Sequence, residues 1–122
     1  MSKFKAQGFA GTFKNARKGF RLVVKSEMNI RIHIIIAVLV LITAYFLKFT
    51  ALEYCTLIFA IAFVIISEML NTAIEFALDS VYHNKYSKMV GMAKDISAGA
   101  VMIASFVSLL VGAILFGKHL LG

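Results

Sequence analysis

The chain has no proline, no tryptophan, a single cysteine, and six acidic residues against thirteen lysines and arginines. Without proline, nothing inside its helices fixes φ or removes a backbone donor, so proline kinks are excluded. The lone Cys55 rules out an internal disulfide and has no thiolate partner for a metal site; it is expected to be buried and inert. Charge is scarce too, at 16% of 122 residues, while 61% are hydrophobic. That balance does not suit an ordinary soluble domain; it suits one small integral membrane unit, residues 1–122 forming a single domain.

The net charge of +7 raises the question of nucleic acid, and the placement of the charges answers it. Eight of the thirteen basic residues precede Ile32, three lie between Asp79 and Ile96, and only Lys48 and Lys118 fall elsewhere. This is the asymmetry of the positive-inside rule. A nucleic-acid reader needs a soluble basic face, so no nucleic-acid partner is expected. The first apolar run starts near residue 34, behind a basic segment without a cleavage-like site, so the first span is expected to remain in the mature protein.

Residues 4–26 read as an amphipathic surface helix. Phe9, Phe13, Ala16, Phe20 and Val24 fall within roughly 80° of arc, with Lys14, Lys18, Arg21 and Lys25 on the other side. Gly8, Gly11 and Gly19 lower helix propensity, and a break or fraying is expected near the first two. Glu27 and Arg31 then stand at i and i+4, the order that favours a helical ion pair, and His33 is placed to reach the interface. Residues 30–49 form the first span. The second, 51–79, is ~43 Å long at 1.5 Å per residue, longer than a hydrocarbon core of ~30 Å, so its polar end projects to the interface. Residues 80–91 read as a polar loop and 93–117 as the third span. There Ser97, Ala100, Ala104, Ser108 and Gly112 make a small-residue ridge for close packing. The fold class is all-α, three transmembrane helices preceded by a surface helix.

The second span carries the anomaly. Cys55 to Ser67 holds no charge, yet Glu68, Asn71, Thr72, Glu75 and Asp79 follow. Their offsets of +3, +4, +7 and +11 all fall within roughly 60° of Glu68, so they share one stripe. Ionisable groups at membrane depth mark a functional site by default. Charge asymmetry places the N-terminus and the loop after the second span in the cytoplasm. Glu27, the stripe, and Lys94-Asp95 then meet at one membrane face, and of the six acids only Glu53 stands apart. Scattered snorkelling does not predict that convergence.

Oxygen ligands from two helices, Glu27 and Glu75, suit Mg²⁺, which shares its coordination with substrate phosphates. Glu68 borders on the apolar region, where partial desolvation suits a carboxylate to act as general base. Lys94 is a point charge fit for a phosphate. Base, metal-binding acids and a phosphate-binding lysine are the parts of a phosphoryl-transfer site, and the depth of the base favours a lipid hydroxyl as acceptor. An acid-lined transport pore would need acidic residues through the whole bilayer, and apart from Glu53 at the very start of the second span the outer halves of these helices carry none. A regulatory peptide without catalysis is the other alternative. Gly112-Ala-Ile-Leu-Phe-Gly117-Lys118 imitates a P-loop, but His119 stands where Ser or Thr is needed and no strand precedes it.

The run Glu68-Met-Leu-Asn71-Thr72-Ala73-Ile74-Glu75, then Asp79, then Ala93-Lys94-Asp95-Ile-Ser-Ala-Gly-Ala100-Val resembles the signature of the small bacterial lipid kinases, the prokaryotic diacylglycerol and undecaprenol kinases. The resemblance implies a homotrimer in the bacterial cell (inner) membrane, with active sites shared between subunits at the cytoplasmic face and MgATP as phosphoryl donor. It implies that Glu68 deprotonates a primary lipid hydroxyl and that Asn71 helps to hold it or the acceptor. Glu27 and Glu75 would bind the metal–nucleotide, Lys94 the phosphates, and Asp95 would orient Lys94 or the nucleotide. Asp79, Thr72 and Arg31 are further candidates. The loop Tyr82 to Lys88 departs from the family's usual pattern, and Gly8 stands about where an arginine is often found. Ser26-Glu27-Met28-Asn29 with His33, and Ser97-Ala98-Gly99-Ala100-Val101, resemble the undecaprenol kinase branch, so undecaprenol is expected as acceptor ahead of diacylglycerol.

Overall fold

A computed structural model describes residues 8–83, 85 and 87–122. Four helices follow one another: α1 (Gly8–Ser26), α2 (Met28–Phe46), α3 (Ala51–Tyr82) and α4 (Lys88–Leu121). The last three are long and apolar enough to cross a membrane. The proposed start of the surface helix at residues 4–7 lies outside the described residues. Gly8 opens α1 at φ 65°, a left-handed conformation that glycine adopts without steric cost. The helix then runs unbroken through Gly11 and Gly19.

α3 is the spine of the bundle. It packs along α4 for most of its length and along α2 over a shorter stretch, while α1 rests on α2 and one end of α3. Several of the buried positions are small, Ala37 and Ala44 on α2, Ala60 on α3, Ser97 and Ala104 on α4, and they stand beside larger buried side chains such as Ile30, Leu57 and Val64. Small residues let helix backbones approach when lipid removes the hydrophobic drive between them. The small-residue ridge of α4 is used unevenly, with Ser97 and Ala104 buried and Ala100 exposed. Large apolar side chains such as Leu39, Phe59 and Leu109 point outward, as lipid-facing surface does. Cys55 does the same: it is exposed rather than buried, because it lies on the outer face of α3 while Glu53 and Leu57 face inward.

The α2–α3 turn is tightly specified. Lys48 sits at φ 61°, its N–H bonded to the Tyr45 carbonyl, while the Phe49 N–H bonds back to the Ala44 carbonyl. These two bonds are a Schellman motif with a lysine in the left-handed position usually held by glycine. Phe49 buries itself against Ala44 and Leu57. Thr50 and Glu53 then form a capping box, each side chain accepting from the other's backbone N–H at 3.2 and 2.9 Å. The second Glu53 oxygen accepts from Lys118 Nζ at 3.1 Å, His119 Nε2 lies 2.9 Å from the first, and the His119 ring stacks on Phe49 at 4.5 Å. The last turn of α4 is thereby tied to the first turn of α3. Lys118 and His119, which end the P-loop imitation, have this structural use.

Helix ends differ from the sequence-based bounds for local reasons. α2 stops at Phe46 because the Schellman turn intervenes before Phe49. α3 runs on to Tyr82 and is closed by His83 in the left-handed conformation, its N–H on the Asp79 carbonyl. α4 begins at Lys88 because the Ser87 hydroxyl accepts from the Val90 N–H. The polar loop expected over 80–91 therefore shrinks to a few residues. Asn84 and Tyr86 of that loop lie outside the described residues.

Candidate active site

The α1-bearing end of the bundle collects the polar stripe. Glu68 and Thr72, one helix turn apart on α3, are 7% and 4% exposed, so the inner line of the stripe is deeply packed. Asn71 and Glu75 sit beside them, half-buried, with Asn71 Nδ2 donating to Glu75 Oε1 at 3.3 Å. Asn71 Oδ1 is buried and has no hydrogen-bond partner among the described residues. A buried carbonyl oxygen left unpaired is costly, and an oxygen that is satisfied only when a ligand arrives is a feature of binding sites.

Asp79 closes the stripe, and its Oδ1 accepts from Lys94 Nζ at 2.8 Å across the α3–α4 interface. Lys94 is thus held over the stripe by an α3 carboxylate. Asp95, expected to orient Lys94 or the nucleotide, is exposed on α4, and the carboxylate bonded to Lys94 is that of Asp79. The i to i+15 spacing across the short loop was the available signal, since a cap at Ser87 brings the first turns of α4 back beside the last turns of α3.

Glu27 occupies the N-cap position of α2, half-buried, without a side-chain capping bond. The ion pair expected between Glu27 and Arg31 is not formed. Arg31 Nη1 instead donates to the Val24 and Lys25 carbonyls, both at 2.8 Å. These are orphan acceptors at the C-terminus of α1, where a cation also meets the negative end of the helix dipole. Arg31 locks α1 to α2 and leaves the Glu27 carboxylate without that partner.

His33, which the pattern of acids did not single out, reaches from α2 to within 3.6 Å of Glu68 Oε1 through its Nε2. It also lines one end of an apolar groove of about 540 Å³ between α2, α3 and α4, walled by Ala37, Val40, Ala60, Val64, Ser108 and Gly112 among others. The groove therefore leads from the body of the bundle toward the Glu68 carboxylate. Ser108 in its wall donates to the Ala60 carbonyl at 2.8 Å and so presents little free polarity to the interior.

The stripe's donors are all oxygens. Among the described residues no three His, Cys, Asp or Glu side chains converge as a closed metal cage. Mg²⁺ does not require one: it is commonly held by one or two carboxylates together with substrate phosphates and water. Glu75 and the unpaired Asn71 oxygen fit that mode.

Residues 14–116 match the family described as prokaryotic diacylglycerol kinase. The chain is 33% identical to a diacylglycerol kinase of Synechocystis sp. over 110 residues, which is 90% of this chain and 63% of that protein. It is 30% identical to the undecaprenol kinase of Bacillus subtilis over 108 residues, covering 88% of this chain and 87% of the relative. With the diacylglycerol kinase of Escherichia coli it shares 32% over 102 residues, 84% and 83% of the two chains. The family match takes in Glu27, the whole acidic stripe of α3 and Lys94 of α4, and the chain belongs to the prokaryotic diacylglycerol kinase family of lipid kinases.

Proposed function

We propose that the protein transfers the γ-phosphoryl group of ATP to the primary hydroxyl of a membrane lipid, undecaprenol in the first place. Diacylglycerol is the second acceptor, favoured by the names of the Synechocystis and E. coli relatives. The observation that carries the proposal is the end of the apolar groove at His33, whose Nε2 lies 3.6 Å from the buried Glu68 carboxylate, with an anchored lysine farther along the same polar stripe. A lipid tail suits the groove; its hydroxyl would then meet Glu68. Packing in the groove holds the acceptor, and excluding water there strengthens every charge interaction at the reacting end.

In this reading Glu68 takes the hydroxyl proton as the oxygen attacks the γ-phosphorus, and ADP leaves. Asn71 fixes the Glu75 carboxylate through its amide and turns its free carbonyl oxygen to the ligand side. Glu27 and Glu75 hold the metal–nucleotide, and Lys94, steadied by Asp79, neutralises charge on the transferring phosphate. Thr72 packs beneath the stripe, Asp95 faces the nucleotide side, and Arg31 keeps α1 in place. Bound Mg²⁺ would offset phosphate charge at Glu27 and Glu75. The protein is an integral protein of the bacterial cell membrane, with its N-terminus and active site cytoplasmic by the positive-inside rule. α1 lies as an amphipathic helix in the headgroup plane, and homotrimer formation lets neighbouring subunits complete each site. Proteoliposomes given labelled ATP with undecaprenol or diacylglycerol test the proposal: label is expected in the lipid fraction, with undecaprenol the better acceptor. No label with either lipid would remove the kinase assignment.

A further inference from the structure

We propose that His33 relays the proton captured by Glu68 to water, an inference that rests on the kinase reading above. Phosphorylation of an alcohol breaks its O–H bond and the bond from the γ-phosphorus to the bridging oxygen of ATP, and forms a new O–P bond. One proton per turnover is left on the base. Glu68 is badly placed to release it, because its side chain is only 10% exposed. The neighbouring Ser67 hydroxyl is committed to the Val64 carbonyl at 2.8 Å. Among the described residues, His33 is the one ionisable group within ion-pairing distance of Glu68, and its side chain is 31% exposed, three times as open.

The geometry has the form of a relay. The separation of 3.6 Å is longer than a hydrogen bond, yet it is closed by a small side-chain rotation or by one bridging water. Imidazole exchanges protons near neutral pH and has two ring nitrogens, so the Nδ1–H tautomer takes up a proton at Nε2 as it loses the one on Nδ1 to water, and a ring flip or exchange with water restores the starting tautomer before the next turnover. The carboxylate is restored, the imidazole returns to its neutral form, and the balance of the cycle is one proton delivered to water. His33 acts through Glu68 and does not itself bond to the reacting phosphorus. Its position on α2, opposite Glu68 on α3, also makes the relay depend on the two helices staying in register.

Three measurements test this. His33→Ala and His33→Gln should each lower kcat about tenfold or more, as loss of an acid–base group does, with KM for lipid and ATP little changed. Free imidazole should restore His33→Ala, which leaves room for it, and should not restore His33→Gln, which fills the site. The wild-type kcat should fall in D₂O, a reading that depends on no variant's folding. Unchanged kcat in both variants, a loss carried by KM, a His33→Ala loss indifferent to imidazole, or a wild-type kcat indifferent to D₂O each overturns the relay. A wild-type chain that labels neither lipid overturns the kinase reading itself, and the relay with it.

Discussion

Two buried carboxylates on α3, Glu68 and Glu53, stand fifteen residues apart, ~22 Å along the helix axis at 1.5 Å per residue. They invite opposite outcomes from the same substitution. Glu68→Gln keeps the side chain's size and removes its ability to accept a proton. Because Glu68 is 7% exposed, the change also relieves the burden of holding a charge at depth, so the thermal midpoint should be unchanged or raised. Losing a general base costs ~10² to 10⁴ in rate, or ~2.7–5.4 kcal/mol of barrier at 1.36 kcal/mol per tenfold. Glu53→Gln does the reverse: it removes the charge that Lys118 and His119 share with the capping box. Its thermal midpoint should fall, while turnover below that midpoint stays at the wild-type level. The assay is initial-rate transfer of label from ATP to lipid in mixed micelles, paired with helical circular dichroism on heating. If Glu68→Gln retained more than about a tenth of wild-type turnover, the assignment of the base would be wrong. If Glu53→Gln lost turnover equally while still folded, the separation of chemistry from anchorage would be wrong.

Further predictions follow from single contacts. Asp79→Asn should raise the KM for MgATP by no more than about fivefold, because an ion pair about one-third exposed is largely screened by solvent; a larger rise, by initial-rate kinetics, would give Asp79 a direct part in binding. Lys48→Gly should stabilise the protein by ~0.5–1 kcal/mol, since glycine adopts the left-handed position without its steric cost, read from unfolding in detergent. Ser108→Ala should cost only ~0.6 kcal/mol in the same measurement, the mean worth of an interhelical hydrogen bond in lipid; a cost above ~2 kcal/mol would mean that the bond organises the groove.

Much of this arrangement was legible in the sequence because membrane helices obey strong rules. Three apolar runs had to be helices, since no other open structure satisfies the backbone in lipid. The stripe from Glu68 to Asp79 followed from helical periodicity alone. What escaped was local and competitive. Ser87 looked like one polar residue among many in a polar loop, and only its bond to Val90 reveals it as the start of α4. Arg31 had a carboxylate at the favoured spacing, yet two unpaired carbonyls at the end of α1 outbid it. Asp79 and Lys94 meet because the loop is short, which depends on that same Ser87 cap. His33 entered through resemblance alone: by its position, a histidine at the start of a span reads as an interfacial residue until the opposite helix is placed.

The tie at Glu53 has a mechanical side. At that end α2 is bound to α3 by a Schellman turn and α4 to α3 by Lys118 and His119, so the three helices share a fixed pivot. At the other end the cross-links are the one-third-exposed Lys94–Asp79 pair and the close approach of His33 to Glu68. From Glu53 to Asp79 the lever arm is ~39 Å, so a tilt of about 5° about the pivot moves the polar end by about 3 Å. Small changes of angle at one membrane face become ångström changes of distance toward the other: at Glu68, ~22 Å from the pivot, the same tilt moves the helix by about 2 Å, a large part of the 3.6 Å that separates His33 from Glu68.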